Sequence, residues 1–324
     1  MLNLIIASGY GWSGSSACTD LLKEFDGMDG INNEFRIIKD PNGLIDLESA
    51  LIDNWEFIRH DVAIRDFLSY CDVLSRGANF FSKNGKGFSE KLSVDFKFLC
   101  EEYILSLMDL KYKGNTFVHR YNLSRLHSII MRIKSKLKID NYNNMNLSRP
   151  SRDKFIKETR KLVNDLFLTY AHKNQLHTIV LHQAISPSNI KKSLKYCDNV
   201  KLILVDRDPR DIYMDMVELK VLLGVDLSSN ESAENYILWH KLLREKNANN
   251  ANNVNVLNIK FEDLIMDYNN QVSKIVDFCG IKSNHSRNKQ LFDPEVSRKN
   301  IGIWRDYKNQ NVMRKIGDAF NLES

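Results

Sequence analysis

The opening residues constrain the fold most strongly, because a short apolar run ends abruptly in a loop of glycine and serine. Leu2–Ala7 has the length and composition of a buried parallel strand. After the loop, apolar residues recur at helical spacing from Ala17 to Phe25. A strand, a glycine loop and a helix in this order are typical of the start of an α/β fold that binds phosphate groups.

Further apolar runs alternate with helical segments along the rest of the chain. The predicted strands are Thr116–Val118, Thr178–Leu181, Val200–Val205 and Val254–Ile259. The predicted helices are 123–138, 151–173 and Asn269–Cys279, with 44–110 mostly helical and the Asn-rich 141–150 a loop. This alternation predicts an α/β fold with a central parallel β-sheet flanked by helices, of the P-loop-like nucleotide-binding kind.

Composition indicates one globular, intracellular domain. Of the 324 residues, 43% are hydrophobic and 27% are charged, which excludes disordered and fibrous proteins. No apolar stretch reaches the roughly 18–20 residues of a membrane-spanning helix, and no secretory signal is visible. Five scattered cysteines without a CxxC pair fit a reducing cytoplasm, and the many asparagines suggest an AT-rich, bacterial genome. We expect a single domain over 1–324, with a mostly helical basic insertion around 120–175.

The net charge of +5 conceals a strongly basic segment. Residues 111–161 carry 14 Lys and Arg against 3 Asp and Glu. Such a block suggests an anionic partner, and a solvated helical face fits the charge equally well. The side chains that could border a cleft for an anionic glycan are Lys134, Lys136, Lys138, Arg152, Lys154 and Lys157. The basic residues do not alternate with aromatic residues at an RNA-binding spacing, so no nucleic-acid partner is predicted.

The glycine loop is a candidate anion site. Backbone amides before a helix N-terminus, with serine hydroxyls beside them, bind phosphate-like groups. Gly9 and Gly14 have the GxxxxG spacing of a nucleotide-binding P-loop, but Ser15 stands where that motif requires lysine. ATP or GTP hydrolysis would lose its main cation for the β- and γ-phosphates. A plain turn between strand and helix is the alternative.

A second candidate segment follows the predicted strand Val200–Val205. Arg207 stands just beyond this strand, at the sheet edge where open α/β sheets bind ligands. Arg207 and Arg210 can each offer a bidentate fork to a phosphate, or pair with the neighbouring aspartates. Pro209 fits the first turn of a following helix.

A third segment lies near the end of the chain. Arg298, Lys299 and Arg305 surround Gly302 and Trp304, so one loop holds cations beside an aromatic ring. Such a loop can close over a phosphate and a base. A basic surface turn around a packed tryptophan is the alternative.

In this order, the three segments resemble the PAPS-dependent sulfotransferase family, in its bacterial, glycan-sulfating form. The matching residues are Ser13–Ser16, Arg207–Asp211, Arg298–Lys299 and Gly302–Trp304. The resemblance implies that the first segment holds the 5′-phosphosulfate of 3′-phosphoadenylyl sulfate (PAPS), the second holds its 3′-phosphate, and the third covers it. The residues implied to bind PAPS, or the product PAP, are Gly11, Trp12, Ser13, Gly14, Ser15, Ser16, Arg207, Asp215, Arg298, Lys299 and Trp304.

The chain departs from the family pattern at three positions. Trp12 stands where the family usually has the lysine that contacts the bridging oxygen of phosphosulfate, and Lys39 or a cation of the basic segment could replace it. Asp215 replaces the usual serine, eight residues after Arg207, and would repel a nearby 3′-phosphate. Asn300 replaces a glycine in a last loop that is one residue shorter.

Sulfuryl transfer to a hydroxyl needs a group that accepts the hydroxyl proton, and a positioned carboxylate or histidine can do this. Glu34 follows Asn33, as the catalytic glutamate does in the glycan-type sulfotransferases that this segment resembles, and Arg36 could pair with it. His182 ends a predicted strand and is the second candidate, expected to line the pocket; His119 is a third and weaker one. A surface glutamate in an arginine-paired turn and a structural histidine are the alternatives.

No metal-ligand motif occurs in the sequence, so no metal is predicted. The sequence therefore predicts an enzyme that transfers a sulfuryl group from PAPS to a hydroxyl, preferably of a carbohydrate, by in-line displacement with a general base. One alternative is a P-loop kinase that uses ATP, against which the missing lysine counts. The other is a non-catalytic protein that binds nucleotides or polyanions.

Overall fold

The computed structural model describes residues 2–79, 84–115, 125–139, 142–221, 230–245 and 254–322. The chain divides into two compact units, one formed by Met1–Arg36 with Ala171–Ser324 and the other by Ile37–Tyr170. The sequence predicts a single domain, and this division into two units does not test that prediction. The predicted strand Thr116–Val118 and the third base candidate, His119, lie outside the described residues.

The elements follow the predicted alternation of strands and helices. The strands are β1 (Asn3–Gly9), β2 (Met28–Asp29), β3 (Leu110–Asn115), β4 (Tyr142–Leu147), β5 (Thr178–His182), β6 (Val200–Asp206) and β7 (Val256–Lys260). The α-helices are α1 (Ser15–Leu22), α2 (Leu44–Glu48), α3 (Phe57–Ser75), α4 (Phe88–Leu92), α5 (Phe96–Leu107), α6 (Arg125–Lys136), α7 (Arg152–Lys173), α8 (Ile190–Leu194), α9 (Pro209–Glu218), α10 (Asn230–Glu245), α11 (Phe261–Met266), α12 (Tyr268–Cys279), α13 (Pro294–Ser297) and α14 (Gln310–Ala319). In the described part of the chain, none of these helices is long and apolar enough to cross a membrane.

Most of the predicted elements are confirmed. Three predicted strands correspond to β5, β6 and β7, and three predicted helices correspond to α6, α7 and α12, with ends that differ by at most two residues. Helix α1 begins at Ser15 rather than Ala17. The glycine loop therefore runs directly into the first helical turn.

The first unit contains a five-stranded sheet in the order β2-β5-β1-β6-β7. Every pairing in it is parallel, which confirms the predicted parallel sheet. Ile5 and Ile6 of β1 are both buried. Since successive residues of a strand point to opposite faces, the central strand is covered on both sides.

The register of this sheet decides which side chains share an edge. Ala7 of β1 is level with His182 of β5 and with Ile203 of β6, and Asp206 is level with Lys260 of β7. Parallel strands end at the same edge, where α/β proteins bind their ligands. The glycine loop, His182 and the segment after Asp206 therefore emerge next to one another.

Helix α1 is fixed to the sheet by an apolar cluster. Leu21 and Leu22 are fully buried and belong to one core with Val180, Ile203 and Phe261. Truncating one such side chain to alanine costs about 2–5 kcal/mol of stability. The position of the loop that begins α1 is therefore set by core packing.

The second unit is mainly helical and includes an antiparallel pair of strands, β3 and β4. The loop predicted over 141–150 is therefore wrong at Tyr142–Leu147. This polar stretch lacks the apolar alternation that marks a strand. Its attachment is polar as well, because the buried Asp61 accepts hydrogen bonds from the backbone and side-chain amides of Asn146 at 3.0 and 2.9 Å. A strand held in this way leaves no hydrophobic pattern in the sequence.

One member of the predicted glycan-binding cluster is already engaged within this unit. Arg152 donates to Glu48 at 2.7 Å and to Asp53 at 2.5 Å. The Glu48 carboxylate is fully buried, so this arginine neutralises a charge inside the unit. Arg152 therefore has a structural role within the unit, and its place beside an anionic glycan stays a prediction. The other members, Lys134, Lys136, Lys138, Lys154 and Lys157, are exposed.

Candidate active site

The glycine loop crosses from β1 to α1 through left-handed backbone conformations. Gly11 and Gly14 have φ angles of 92° and 81°, and Trp12 between them has 50°. A Cβ atom on Gly14 would also lie 2.2 Å from the ring of Phe261, so both conformation and space require glycine there. The left-handed conformation costs a residue such as Trp12 about 1–2 kcal/mol. Strain of this kind concentrates at functional sites.

Buried hydroxyls lie at the same place. The side-chain oxygens of Ser8 and Ser13 are buried, and neither has a hydrogen-bond partner among the described residues. A buried polar atom without a partner costs free energy, which a bound ligand can recover. Together with the amides at the start of α1, these hydroxyls fit a tetrahedral anion.

Ser15 is bonded to the neighbouring strand. Its hydroxyl accepts a hydrogen bond from the Gln183 side-chain amide at 2.9 Å and lies 3.1 Å from His182 Nε2. The imidazole is therefore held against the first turn of α1, at the end of β5. The structure thus brings two predicted site residues, Ser15 and His182, into direct contact, while Ser16 beside them is exposed.

Glu34 lies on the other side of His182. The two residues form an isolated parallel bridge, in which the Phe35 amide donates to the His182 carbonyl oxygen at 3.0 Å. The Glu34 carboxylate accepts a hydrogen bond from Arg36 at 3.1 Å, the pairing expected from the sequence. Both side chains are about two-fifths exposed, at 43% and 41%. An exposed pair of this kind contributes at most about 1 kcal/mol, so a substrate can displace Arg36.

Arg207 joins three separate segments. Its Nη1 donates to the Trp12 carbonyl oxygen at 3.2 Å and to the Asp215 carboxylate at 2.5 Å, and its Nη2 donates to the Asn300 carbonyl oxygen at 2.5 Å. The guanidinium lies 5.3 Å from the ring centre of Phe261 and is only 4% exposed. From the sequence, Asp215 is expected to repel a phosphate and Arg207 to bind one. In the structure, Asp215 is the counter-ion of Arg207.

Arg210 does not share this arrangement. It donates to both oxygens of Asp208, at 2.7 Å from Nη2, and its guanidinium lies 3.9 Å above the Trp304 ring. The second arginine fork expected from the sequence is therefore used within the protein. It holds the aromatic ring of the C-terminal loop.

Asp211 fixes the same loop and was missed as a site residue by the sequence analysis. Its buried carboxylate accepts hydrogen bonds from the backbone amides of Gly302 at 2.7 Å and Trp304 at 3.2 Å. Burial raises the pKa of Asp211 above its usual value, while the two amides oppose that rise. Asp211 belongs to the segment Arg207–Asp211, which the sequence does single out. There it was considered only as an ion-pair partner of the arginines.

Arg298 and Lys299, two of the three cations of the C-terminal segment, are exposed. Arg298 donates to Glu295 at 3.0 Å, and both side chains are exposed. From this part of the chain it is Ser297 and Asn300, rather than Arg298 and Lys299, that line the cleft described next.

A cleft of about 580 Å³ brings the donor-side residues together. The glycine loop contributes Trp12 and Gly14, and α9 contributes Asp215 beside Arg207. Its volume lies within the range of about 300–1,000 Å³ that is usual for small-molecule sites. Among the described residues, no group of three or more His, Cys, Asp or Glu is placed to hold a metal ion.

The wall of the cleft at 290–293 was also missed. It is held by Glu24, a fully buried carboxylate just beyond the end of α1. Glu24 accepts hydrogen bonds from the amides of Lys289, Leu291 and Phe292 at 3.1, 2.8 and 2.9 Å, and it lies 2.7 Å from His285 Nε2. In the sequence, Glu24 could have been noticed as a charged residue in the apolar run after the glycine loop.

The model of a family described as "Sulfotransferase family" matches residues 119–285, just over half of the chain. The matched range includes His182, Arg207 and Asp215, and it excludes the glycine loop and the C-terminal loop. No curated protein sequence gives a significant match.

Several solved structures are similar at low sequence identity. The sulfotransferase domain from the curacin biosynthetic pathway is 12% identical, with a TM-score of 0.45 over 100% of this chain and 99% of that one. The sulfotransferase domain from the Synechococcus PCC 7002 olefin synthase is 13% identical, with a TM-score of 0.41 over 100% and 95%. Retinol dehydratase, in complex with androsterone and the inactive cofactor PAP, is 14% identical, with a TM-score of 0.39 over 98% and 79%.

Proposed function

Because the chain belongs to the sulfotransferase family, we propose that it transfers a sulfuryl group from PAPS to a hydroxyl of an acceptor. The observation that carries the proposal is the cleft in which Arg207 meets the glycine loop at the carboxyl edge of the sheet. PAPS carries anionic groups at both ends of its ribose. The loop with the first turn of α1 offers amides and hydroxyls for one group, and Arg207 offers a guanidinium for the other.

The chemistry requires in-line displacement. The acceptor oxygen forms a bond to sulfur as the bond from sulfur to the bridging oxygen of the phosphosulfate breaks, and PAP leaves. Charge grows on the oxygen that leaves, close to the N-terminus of α1, whose dipole and free amides stabilise it. With Trp12 in the place of the family lysine, we assign this stabilisation to the backbone of the loop.

Glu34 is proposed as the general base. It is an exposed carboxylate in register with His182, whose ring is fixed by Ser15. In this arrangement Glu34 takes the proton of the acceptor hydroxyl, and His182 lines the pocket and orients that hydroxyl. Arg36 releases the carboxylate, or holds an anionic group of the acceptor, when the acceptor binds.

We further propose that the acceptor is a carbohydrate and that the reaction takes place in a bacterial cytoplasm. The Asn33–Glu34 dipeptide supports the acceptor class through its resemblance to glycan-type sulfotransferases. Lys154 and Lys157, which are exposed on α7, support an anionic glycan. The replacement of the missing cation by Lys39 stays a prediction from the sequence.

Calorimetric titration with PAP tests the proposal. We expect PAP to bind without magnesium and more tightly than ADP or ATP. Arg207→Lys keeps the charge but loses the planar fork, and should lower the affinity for PAP about 10- to 100-fold. The matched control is Arg314→Lys, at an exposed position of α14, which should leave PAP affinity unchanged.

Three outcomes would contradict the proposal. Binding of ATP only with magnesium, and no binding of PAP, would favour the P-loop kinase. Absence of binding to either nucleotide would favour the non-catalytic alternative. If Arg207→Lys and Arg314→Lys lower the affinity for PAP equally, the nucleotide binds outside the cleft.

A further inference from the structure

Helix α6 in the second unit presents an apolar stripe to solvent. Leu126, Ile129, Ile130 and Ile133 are 74%, 53%, 48% and 52% exposed. Their spacing of three, four and seven residues places them on one face of a helix. Leu137, 65% exposed, continues the stripe just after the helix ends. Contiguous exposed apolar surface of this kind marks an interaction site.

The intrinsic stability of this helix is low. At 12 residues it is at the length where an isolated helix is marginal in water. Three β-branched isoleucines lower its intrinsic helix propensity further. Most helices of this length gain their stability by burying an amphipathic face. A partner that covers the stripe would supply that stabilisation.

The charges around the stripe identify the kind of partner. Residues 110–139 contain eight Lys and Arg and no Asp or Glu. At about 100° per residue, Arg125 and Lys136 lie on one flank of the stripe and Lys134 lies on the other. The described cations of this helix are exposed. Long basic side chains bordering an apolar stripe suit the interface of an anionic bilayer, where the stems lie against acyl chains and the charges reach the headgroups.

We propose that α6 docks on the surface of a lipid bilayer that contains anionic headgroups. The apolar stripe enters the boundary between headgroups and acyl chains, and the flanking lysines and arginines bind the phosphates of the headgroups. A second copy of this chain fits less well, because two such helices would bring like charges together. An anionic glycan would use the charges but not the stripe. The inference goes beyond the proposed reaction and does not depend on it.

Co-sedimentation with vesicles tests the proposal on the full chain. Vesicles of phosphatidylcholine alone are compared with vesicles of phosphatidylcholine and phosphatidylglycerol in equal parts, at low and high salt. We expect the protein to sediment with the anionic vesicles at low salt and to be released as salt screens the headgroups. The neutral vesicles should bind at least tenfold more weakly.

Two pairs of variants separate the apolar and the electrostatic parts. Ile129→Asn with Ile133→Asn should lower the partition coefficient more than tenfold. Lys134→Gln with Lys136→Gln should lower it about fivefold for each lysine removed. Thermal unfolding checks that each variant is folded.

Matched controls change similar side chains elsewhere. Leu238→Asn with Leu242→Asn removes two exposed leucines from one face of α10. Lys191→Gln with Lys282→Gln removes two exposed lysines from the first unit. Neither pair should change vesicle binding.

Three results would overturn the proposal. Anionic vesicles could bind the α6 variants as well as the wild type. Binding could fall with the lysine variants and not with the isoleucine variants, which would leave a purely electrostatic surface. Sedimentation velocity could show a wild-type dimer that the isoleucine variants dissociate, with no vesicle binding, which would assign the stripe to a second copy of the chain.

Discussion

The two sides of the candidate active site share one sheet edge but differ in how completely the protein satisfies them. The guanidinium of Arg207 is 4% exposed and bonded to three segments, whereas the carboxylate of Glu34 is 43% exposed and bonded only to Arg36 among the contacts described above. On the Arg207 side a ligand must replace bonds that already exist. On the Glu34 side a ligand meets a group that is already accessible.

This difference predicts which step each side controls. In the proposed complex Arg207 contacts only the nucleotide, and the bonds that it gives up count against binding, so the Arg207 side should set nucleotide affinity. A base that contacts only the acceptor hydroxyl should set the rate of the chemical step. Substitutions on the two sides should therefore separate into effects on binding and effects on turnover.

The largest expected effect is a loss of kcat on the Glu34 side. Glu34→Gln keeps the shape of the side chain and removes its ability to accept a proton. We expect kcat to fall about 10²- to 10⁴-fold, the usual contribution of a general base. PAP affinity, measured by calorimetry, should not change, because the cleft residues are untouched.

The matched control for Glu34 is Glu234→Gln. Glu234 is also an exposed glutamate with a basic partner, Lys315, and it lies on α10. This variant should keep wild-type kcat. If Glu34→Gln keeps its activity while His182→Gln loses it, the base is His182, and the accessible carboxylate is only half of a surface ion pair.

A smaller effect, of opposite sign, is expected on the Arg207 side. Asp215→Asn removes the carboxylate that neutralises Arg207, and leaves a buried cation without its counter-ion. A bound 3′-phosphate would then supply that counter-charge, so PAP affinity should rise about 10- to 100-fold, as for a hydrogen bond to a charged group. The measurement is the same calorimetric titration.

Asp206→Asn is the control for this change. Asp206 pairs with Arg244, with contacts of 2.5 and 2.9 Å, and it is the last residue of β6, next to Arg207. Removing its charge should not raise PAP affinity. A fall in affinity with Asp215→Asn would contradict the argument, and would mean that the carboxylate holds the nucleotide site in shape.

The sequence predicts the first unit well because its signals are local. Apolar β-branched runs mark β5 and β6, and the glycine loop between β1 and α1 needs conformations that glycine adopts readily. Strand β4 was missed because a polar stretch pairs with β3 and is tied down by Asp61. Pairing between backbones leaves no mark on side-chain identity.

The site shows the same limit. Arg207 and the glycine loop could be found because each lies within a short motif. The pairing of Arg207 with Asp215 could not, because a spacing of eight residues does not say which way the two side chains turn. The role of Glu24 could not either, because most of its partners are backbone amides far along the chain, those of Lys289, Leu291 and Phe292. Any residue but proline can supply such an amide.

The smallest predicted effect concerns a histidine behind the Arg207 side. His240 on α10 is buried, with its ring centre 4.3 Å from that of Phe320, and four residues before Arg244. Neither ring nitrogen has a hydrogen-bond partner among the described residues, and burial lowers the pKa of His240 to about 3. The folded protein therefore keeps this ring neutral at pH values where the unfolded chain protonates it.

The sign of the pH dependence follows from that difference. Between pH 6.5, the ordinary histidine value, and about 3, the unfolded state binds the extra proton, so stability falls as the pH is lowered through this range. The free energy of unfolding should drop by about 1 kcal/mol between roughly pH 6.5 and 5.5 on this account. His240→Phe should lack this loss, while His172→Gln, at an exposed position, should keep it. If the free energy of unfolding depends on pH in the same way in wild type and His240→Phe, water reaches the ring. The Arg207 side would then be less closed than its contacts indicate.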